Sequence, residues 1–433
     1  FSSFKIGEIK QKINDVIQAQ KEESILFAKS IENNIFKTFK TYTELLLTPA
    51  RKLSEEEKSK KARLRKGKAI LIKEFSKSRS HPSLRELFHS EAREWIQLLK
   101  PIWLSNPTQL AKCFPMEKAL FDFAIFDEAS QIPLQNSLGA IQRSRRIIVA
   151  GDEFQMGPSS YFNASNSETI DLLHQANYNW KKSDLKHHYR SVHSDLISFS
   201  NKHFYKGELR TYPAYNSPIP IQHYYSSEGK FIDRKNIVEA KNMAAVLELE
   251  LHKDSNIGVV AFSEEQKNCI WENLSSSAQQ IFSENLESNK GFFKSVENVQ
   301  GDECDQLFIS FAYAKNNDGE FHLRFGPMNN ANGRNRLNVL LTRAKQQIHF
   351  FCSIKSSDFK LSENESINLL RKWLSLSESY SESKNLSFPF QLLPKVKDNS
   401  LMFSEIQSKL PEVKELVTLQ SVLENRGWDV QYT

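Results

Sequence analysis

The stretch Phe121-Asp-Phe-Ala-Ile-Phe-Asp127-Glu128-Ala-Ser-Gln131 decides how the rest of the chain is read. It opens as an apolar, strand-like run and ends in two adjacent carboxylates. A strand-terminal aspartate suits Mg²⁺, often held through its water shell. The carboxylate after it suits a water that must be oriented or deprotonated for attack on a γ-phosphate. Taken alone, an Asp-Glu pair reads as a polar turn, so the neighbouring segments must decide. The next apolar run, Arg146-Ile-Ile-Val-Ala150, ends in Gly151-Asp152-Glu-Phe-Gln155-Met-Gly-Pro158. A glutamine amide both donates and accepts, which fits Gln155 to contact a phosphate or an attacking water.

Further runs of the same kind, at 257–262, 307–311 and 348–352, alternate with helical stretches. That alternation is the pattern of βα units on a mostly parallel sheet, where ligands sit at the carboxyl ends of strands. Residues 1–100 differ. Gly7 and Gly67 are their only glycines, and Ile13, Val16, Ile17, Ile31 and Ile35 recur at helical spacing. Inside this arm lies a basic run, Lys58, Lys60, Lys61, Arg63, Arg65, Lys66 and Lys68, which reads as a solvated helical face or as a stalk gripping a polyanion. The capping box Ser83-Leu-Arg-Glu86 predicts a helix running towards Leu99, ahead of Pro101. Residues 211–230, with Pro213, Pro218 and Pro220, read as a loop-rich connection. The Ser/Glu/Lys-rich tail beyond Ser353 reads as partly linker, with helical pieces at 368–376 and 410–426.

Composition bounds the rest. The 433 residues include 30 Phe and are 39% hydrophobic, enough for two or three domains with real cores and not the composition of a disordered or fibrous chain. Cys113, Cys269, Cys304 and Cys352 lie far apart with no C-x-x-C pair, which points to a reduced, cytoplasmic protein rather than a disulfide scaffold or zinc finger. No apolar run approaches the roughly 18 residues that a bilayer span requires. The net charge of +6 is compatible with non-specific binding to a polyanion.

The acid pair with Ala-Ser-Gln, followed by Gly-Asp-x-x-Gln-x-x-Pro, resembles motifs II and III of superfamily 1 helicases, in the branch that contains the RNA helicase of nonsense-mediated decay and related bacterial DNA/RNA helicases. Later blocks follow in the family's order. Leu185-Lys-His-His-Tyr189-Arg190-Ser191, with Asn201-x-x-Phe204-Tyr205, resembles motif IV; Gln300-Gly301-Asp-Glu303 resembles motif V; Leu337-Asn338-Val-Leu-Leu-Thr342-Arg343-Ala344-Lys345 resembles motif VI. The resemblance implies tandem RecA-like P-loop NTPase motor domains. Residues 1–100 would be a helical insertion of the first, 101–185 its C-terminal part, 186–355 the second, and 356–433 a linker and extension. It implies ATP and Mg²⁺, with Asp127 on the metal, Asp127, Glu128, Gln155, Arg190 and Arg343 in catalysis, and Gly151, Asp152, Gln300, Gly301 and Glu303 around the nucleotide. It also implies 5′-to-3′ movement on single-stranded DNA or RNA, with Ser105, Asn106 and Thr108, then Ser295 and Asn298, contacting the strand. The physics agrees: charge spreading over a transferring phosphoryl group calls for metal, positioned water and guanidinium groups.

One expected part is missing from the sequence. No G-x-x-x-x-G-K-[ST] occurs, and Gly67-Lys68 and Gly229-Lys230 lack the partner glycine. In the family that loop precedes every block found here. The chain, which begins at Phe1, is therefore expected to be a piece of a longer parent, with little ATPase activity alone. The rival expectation is a helicase-like scaffold that binds nucleic acid without turnover. The tail's Glu405-Ile-Gln and Trp428-Asp-Val430 faintly resemble the opening of restriction-endonuclease-like domains.

Overall fold

The computed structural model describes residues 6–158, 170–212, 219–316, 319–330 and 332–382. The helix expected at 410–426 and the nuclease-like segment lie outside the described residues. Contacts divide the chain into two compact units, residues 1–127 with 133–150, and residues 128–132 with those from 151 onward. Residues 170–185, expected with the first motor domain, group by contacts with the second unit.

In the first unit, α1 (Ile6–Leu47) and α2 (Glu55–Phe75) are followed by α3 (Leu84–Phe88), α4 (Arg93–Leu99), α5 (Pro107–Cys113), β1 (Phe121–Phe126), α6 (Leu134–Gln142) and β2 (Ser144–Val149). α2 starts with a full capping box, Ser54 with Glu57, and three glutamates stand on its positive end. Leu64, Phe88, Trp95 and Phe114 form the helical core. Trp95 Nε1 donates to the Leu64 carbonyl at 2.8 Å, and the rings of Phe39 and Tyr42 on α1 meet Trp95 edge-on. Gly67 makes the close approach possible, because a Cβ there would lie 2.1 Å from the Glu91 carbonyl oxygen. The capping box at Ser83 forms, but the expected helix to Leu99 is broken into α3 and α4. The Ser90 hydroxyl donates to Leu87 O and accepts from Ala92 N, offering the backbone an alternative to the helical ladder.

The basic run lies on α2. Lys58 pairs with Glu55, Arg63 with Glu94 and Lys66 with Glu91. Lys61 donates to Thr48 O, and Lys60 lies over the Tyr42 ring. Arg65 and Lys68 are exposed. β1 and β2 pair in parallel, Phe121 opposite Ser144 and Phe126 opposite Val149.

The second unit holds α7 (Leu172–Asn179), α8 (Asp195–His203), β3 (Ile221–Tyr225), α9 (Ile237–Glu250), β4 (Ile257–Ala261), α10 (Glu264–Glu272), α11 (Ser276–Glu287), β5 (Phe292–Ser295), β6 (Cys304–Ser310), α12 (Gly333–Leu341), β7 (Ala344–Cys352) and α13 (Glu365–Glu382). Its sheet runs β3-β7-β6-β4-β5, parallel throughout. Both faces are covered, as parallel sheets require. Leu307 and Ile309 of β6 join Ile348 and Phe350 of β7 in one core with Leu196, Phe199 and Trp373, while Phe308 and Phe351 face the other, with Met243, Leu247 and Ile270. The expected runs 257–262, 307–311 and 348–352 are β4, β6 and β7. β3 corrects the loop-rich expectation for 211–230: it is an edge strand directly after Pro220, a position that tolerates a neighbouring proline. Glu239 on α9 is fully buried and accepts from Ser310 Oγ, Ala312 N and Ser353 Oγ. Burial pushes its carboxyl up to about 7. Among the described residues no helix is long and apolar enough to cross a membrane.

Candidate functional site

β6 and β7 begin side by side, with Cys304 opposite Ala344, so the residues just before them, Glu303 and Arg343, come to the same edge of the second unit's sheet. That is the amino edge. The carboxyl-end rule that directed attention to Asp127-Glu128 after β1 and to Gly151-Asp152 after β2 does not describe these two. Neighbouring parallel strands that start in register bring their preceding turns together just as effectively.

Lys345 Nζ lies 2.5 Å from Glu303 Oε1, and Arg190 Nε lies 3.4 Å from Oε2. The Lys345 hydrogen bond, before any other cause, holds the Glu303 carboxyl below the usual carboxylate range. Arg190 lies in a bend two residues before Val192, whose N donates to Lys345 O at 2.7 Å. Arg343 is 2% exposed. Its Nε donates to Val339 O, Nη1 to Asp302 O and Nη2 to Thr342 Oγ1. Burial and then the Arg190 charge push its pKa down, while the Glu128 carboxylate pushes it back up.

A second constellation within the same unit is a chain of side-chain hydrogen bonds. Glu128 has left-handed backbone, φ 51°, ahead of the short turn Ala129–Gln131. Gln300 Nε2 donates to Glu128 Oε2 at 3.2 Å and to Gln155 Oε1 at 3.4 Å. Gln155 Nε2 in turn donates to Asp152 Oδ2 at 3.2 Å. The Tyr205 hydroxyl donates to that same oxygen at 2.6 Å. Asn338 Nδ2 donates to Tyr205 Oη at 3.0 Å and to Phe154 O at 2.9 Å, and Asn335 Nδ2 donates to Gln155 O at 2.8 Å. α12 thus carries two amides that fasten the 152–155 loop. Gly151 lies against the backbone nitrogens of Ala129 and Ser130, which a Cβ would approach to 3.1 and 3.3 Å. Gly301 has φ +87°, a conformation that favours glycine. Gln300 Oε1 and Asn338 Oδ1 are buried acceptors with no hydrogen-bond partner among the described residues.

The structure therefore brings together Glu128, Gly151, Asp152, Gln155 and Gln300, and separately clusters Arg190, Glu303 and Arg343. Asp127 directly follows β1 in the first unit and is exposed. The residues expected to contact a strand are spread out. Ser105, Asn106 and Thr108 are exposed in the first unit, where Asn106 caps α5 by accepting from Gln109 N. Ser295, at the end of β5, is buried and accepts from Asn298 Nδ2 at 3.3 Å. Tyr205, Asn335, Asn338 and Lys345 join the site without having been singled out from sequence. Each lies in or beside a recognised block; the available signal was clearest for Asn338, a polar residue among the apolar residues of α12. Among the described residues no cluster of three or more His, Cys, Asp or Glu side chains could hold a metal ion.

Comparison with known proteins shows what the chain is similar to. A domain family described as an AAA domain matches residues 213–355. The chain is 27% identical over 350 residues to an uncharacterised ATP-dependent helicase of Mycoplasma genitalium, covering 73% of this chain and 31% of that protein. It is 23% identical over 357 residues to the DNA replication ATP-dependent helicase/nuclease of Schizosaccharomyces pombe, covering 70% of this chain and 24% of that protein. A solved arterivirus nonstructural protein 10, a helicase in complex with DNA, is similar at 10% identity and a TM-score of 0.32, over 70% of this chain and 60% of that one. The chain is thus similar to ATP-dependent helicases, and its second unit carries a five-stranded parallel sheet covered on both faces. It spans about a third of the length of the first curated relatives it matches.

Proposed function

We propose that this chain is part of an ATP-dependent helicase or translocase that couples ATP hydrolysis to 5′-to-3′ movement on single-stranded DNA or RNA. The observation that carries this is the bonded series Glu128, Gln300, Gln155 and Asp152, which joins the acid of one motif to the glutamines of two others. Nothing in an ordinary polar turn requires three separate segments to be joined side chain to side chain in this way.

Each residue then has a task. Glu128 orients and deprotonates the attacking water. Arg190 and Arg343 meet the charge that develops on the transferring phosphoryl group, for which a permanently charged, forked guanidinium is suited. Glu303 accepts from a ribose hydroxyl after giving up one of its two cationic neighbours. Mg²⁺ usually rests on one or two carboxylates plus phosphate oxygens and waters, so a single exposed aspartate fits it, and Asp127 would hold it. When bound, the ion neutralises phosphate charge. Ser105, Asn106, Thr108, Ser295 and Asn298 contact the strand's backbone, a role that needs no base specificity.

The sequence contains no phosphate loop, so turnover should belong to a longer protein that supplies one. Nucleic-acid-stimulated ATP hydrolysis is expected from that protein and negligible turnover from this chain. Steady hydrolysis by the chain alone would sink the assignment of parts. Absence of turnover in the longer protein, with strand binding retained, would favour the non-hydrolysing scaffold instead.

A further inference from the structure

Gln155 can serve phosphoryl transfer in two opposite ways. With its NH₂ outward it would donate to a phosphate oxygen; with its carbonyl outward it would accept from a water. The bonding around Asp152 discriminates between them. A carboxylate only accepts, and Asp152 Oδ2 receives both Tyr205 Oη at 2.6 Å and Gln155 Nε2 at 3.2 Å, while Oδ1 receives Phe154 N at 2.9 Å. The Gln155 nitrogen must therefore face Asp152, and its Oε1 faces the other way. There it meets Gln300 Nε2, whose second bond goes to Glu128 Oε2.

Resting on the function proposed above, we propose that Tyr205 is a positioning residue that fixes the Gln155 amide with its carbonyl oxygen towards the reacting water, making Gln155 an acceptor for the nucleophile rather than a donor to phosphate. Tyr205 reaches Gln155 only through Asp152. Burial and the adjacent carboxylate keep its phenol protonated far above neutral pH, so it remains a donor. Asn338 Nδ2, donating to Tyr205 Oη, leaves the hydroxyl proton no better target than Asp152. The ring is separately supported, edge-on to Phe154 with centroids 5.4 Å apart, so the hydroxyl can be removed with the packing kept.

The tests are Tyr205→Phe and Asp152→Asn. An asparagine at 152 can donate to Gln155 Oε1 and turn its nitrogen outward. In the longer protein that supplies the phosphate loop, each variant should lower kcat about tenfold, below the roughly 10²–10⁴-fold of a positioned general base, because it loosens a hydrogen-bond acceptor and leaves the base in place. For Tyr205→Phe, KM for ATP and the ratio of affinities for a non-hydrolysable triphosphate analogue and ADP should stay unchanged. The double variant should be no worse than the poorer single one. A fall in triphosphate preference, or losses that multiply, would overturn the proposal in favour of a phosphate-donating Gln155 or a merely structural tyrosine. A wild-type longer protein without turnover would fail the functional reading itself. The orientation is then still decided in the present chain. Selectively ¹⁵N-labelled Gln155 should show side-chain amide protons protected from exchange, and Tyr205→Phe should remove that protection; unchanged protection would refute the proposal.

Discussion

Arg143 and Arg343 occupy the same local device, one in each unit. Each sits in a helix-to-strand turn, Arg143 between α6 and β2 and Arg343 between α12 and β7. They are 3% and 2% exposed, and each sends a donor back to the carbonyl four residues earlier, Gly139 O at 2.6 Å and Val339 O at 2.8 Å. What surrounds the rest of each guanidinium differs. Arg143 gives Nε to Pro115 O and Nη2 to Phe114 O, so its remaining bonds go to backbone carbonyls of its own unit. Arg343 meets one further carbonyl and a hydroxyl, and lies in the fields of Arg190 and Glu128. The first is a fastening for the 114–115 loop. The second is a charge held beside other charges, which chemistry can use and stability alone would not select.

The largest expected effect tests that contrast directly. Arg343→Ala in the longer protein should lower ATP turnover by about 10³-fold, the lower end for an arginine that meets transferring-phosphoryl charge. Turnover within tenfold of wild type would place Arg343 in the same class as Arg143. The next effect is on folding. Arg143→Met leaves the carbonyls of Ala111, Phe114, Pro115 and Gly139 without their donor and should cost about 2–4 kcal/mol in denaturant unfolding. Turnover per folded molecule should be unaffected; a stability change below measurement error would show that the carbonyls find water instead.

The smallest effect separates the units by pH. Glu239 in the second unit has its carboxyl raised to about 7 from the ordinary 4.5. Between those values the folded state binds more protons than the unfolded one, so this group's contribution to stability falls as pH rises from about 4.5 to 7. Below that window the contribution is fully present. Glu239→Gln should flatten this slope in urea midpoints measured across the window. An unchanged slope would assign the dependence to other groups. Arg143 supplies no titration in that range, so unfolding of the first unit should not share the slope.

Much of this was legible in the residues, and the gaps have physical causes. β4, β6 and β7 announce themselves because strands covered on both faces need nearly continuous apolar side chains, whereas β1 and β2 show as apolar runs although Phe123 and Ile125 are exposed. β3 and β5 are the edge strands of their sheet. The first, Ile221-Gln-His-Tyr-Tyr225, is rich in polar atoms behind a proline, and the second has only four residues, two of them Lys294 and Ser295. Neither needs the apolar signature that reveals a central strand. The break at His89–Ala92 depends on one serine hydroxyl choosing the backbone, which a helical period cannot report. At the site, the blocks gave the residues but not their wiring. Tyr205 and Asn338 sit in positions that would serve equally as core packing, and only their approach to Asp152 and Phe154 in three dimensions distinguishes them.

The left-handed backbone at Glu128 carries a cost of its own. Side chains with a Cβ resist that conformation by about 1–2 kcal/mol, and glycine would adopt it without resistance. A glycine would therefore relax this peptide and strip it of its acid in the same change. With the role proposed for Glu128, a campaign to make the molecule hardier by easing unfavourable torsions would remove that acid here, because conformational discomfort and the proposed usefulness are properties of a single side chain.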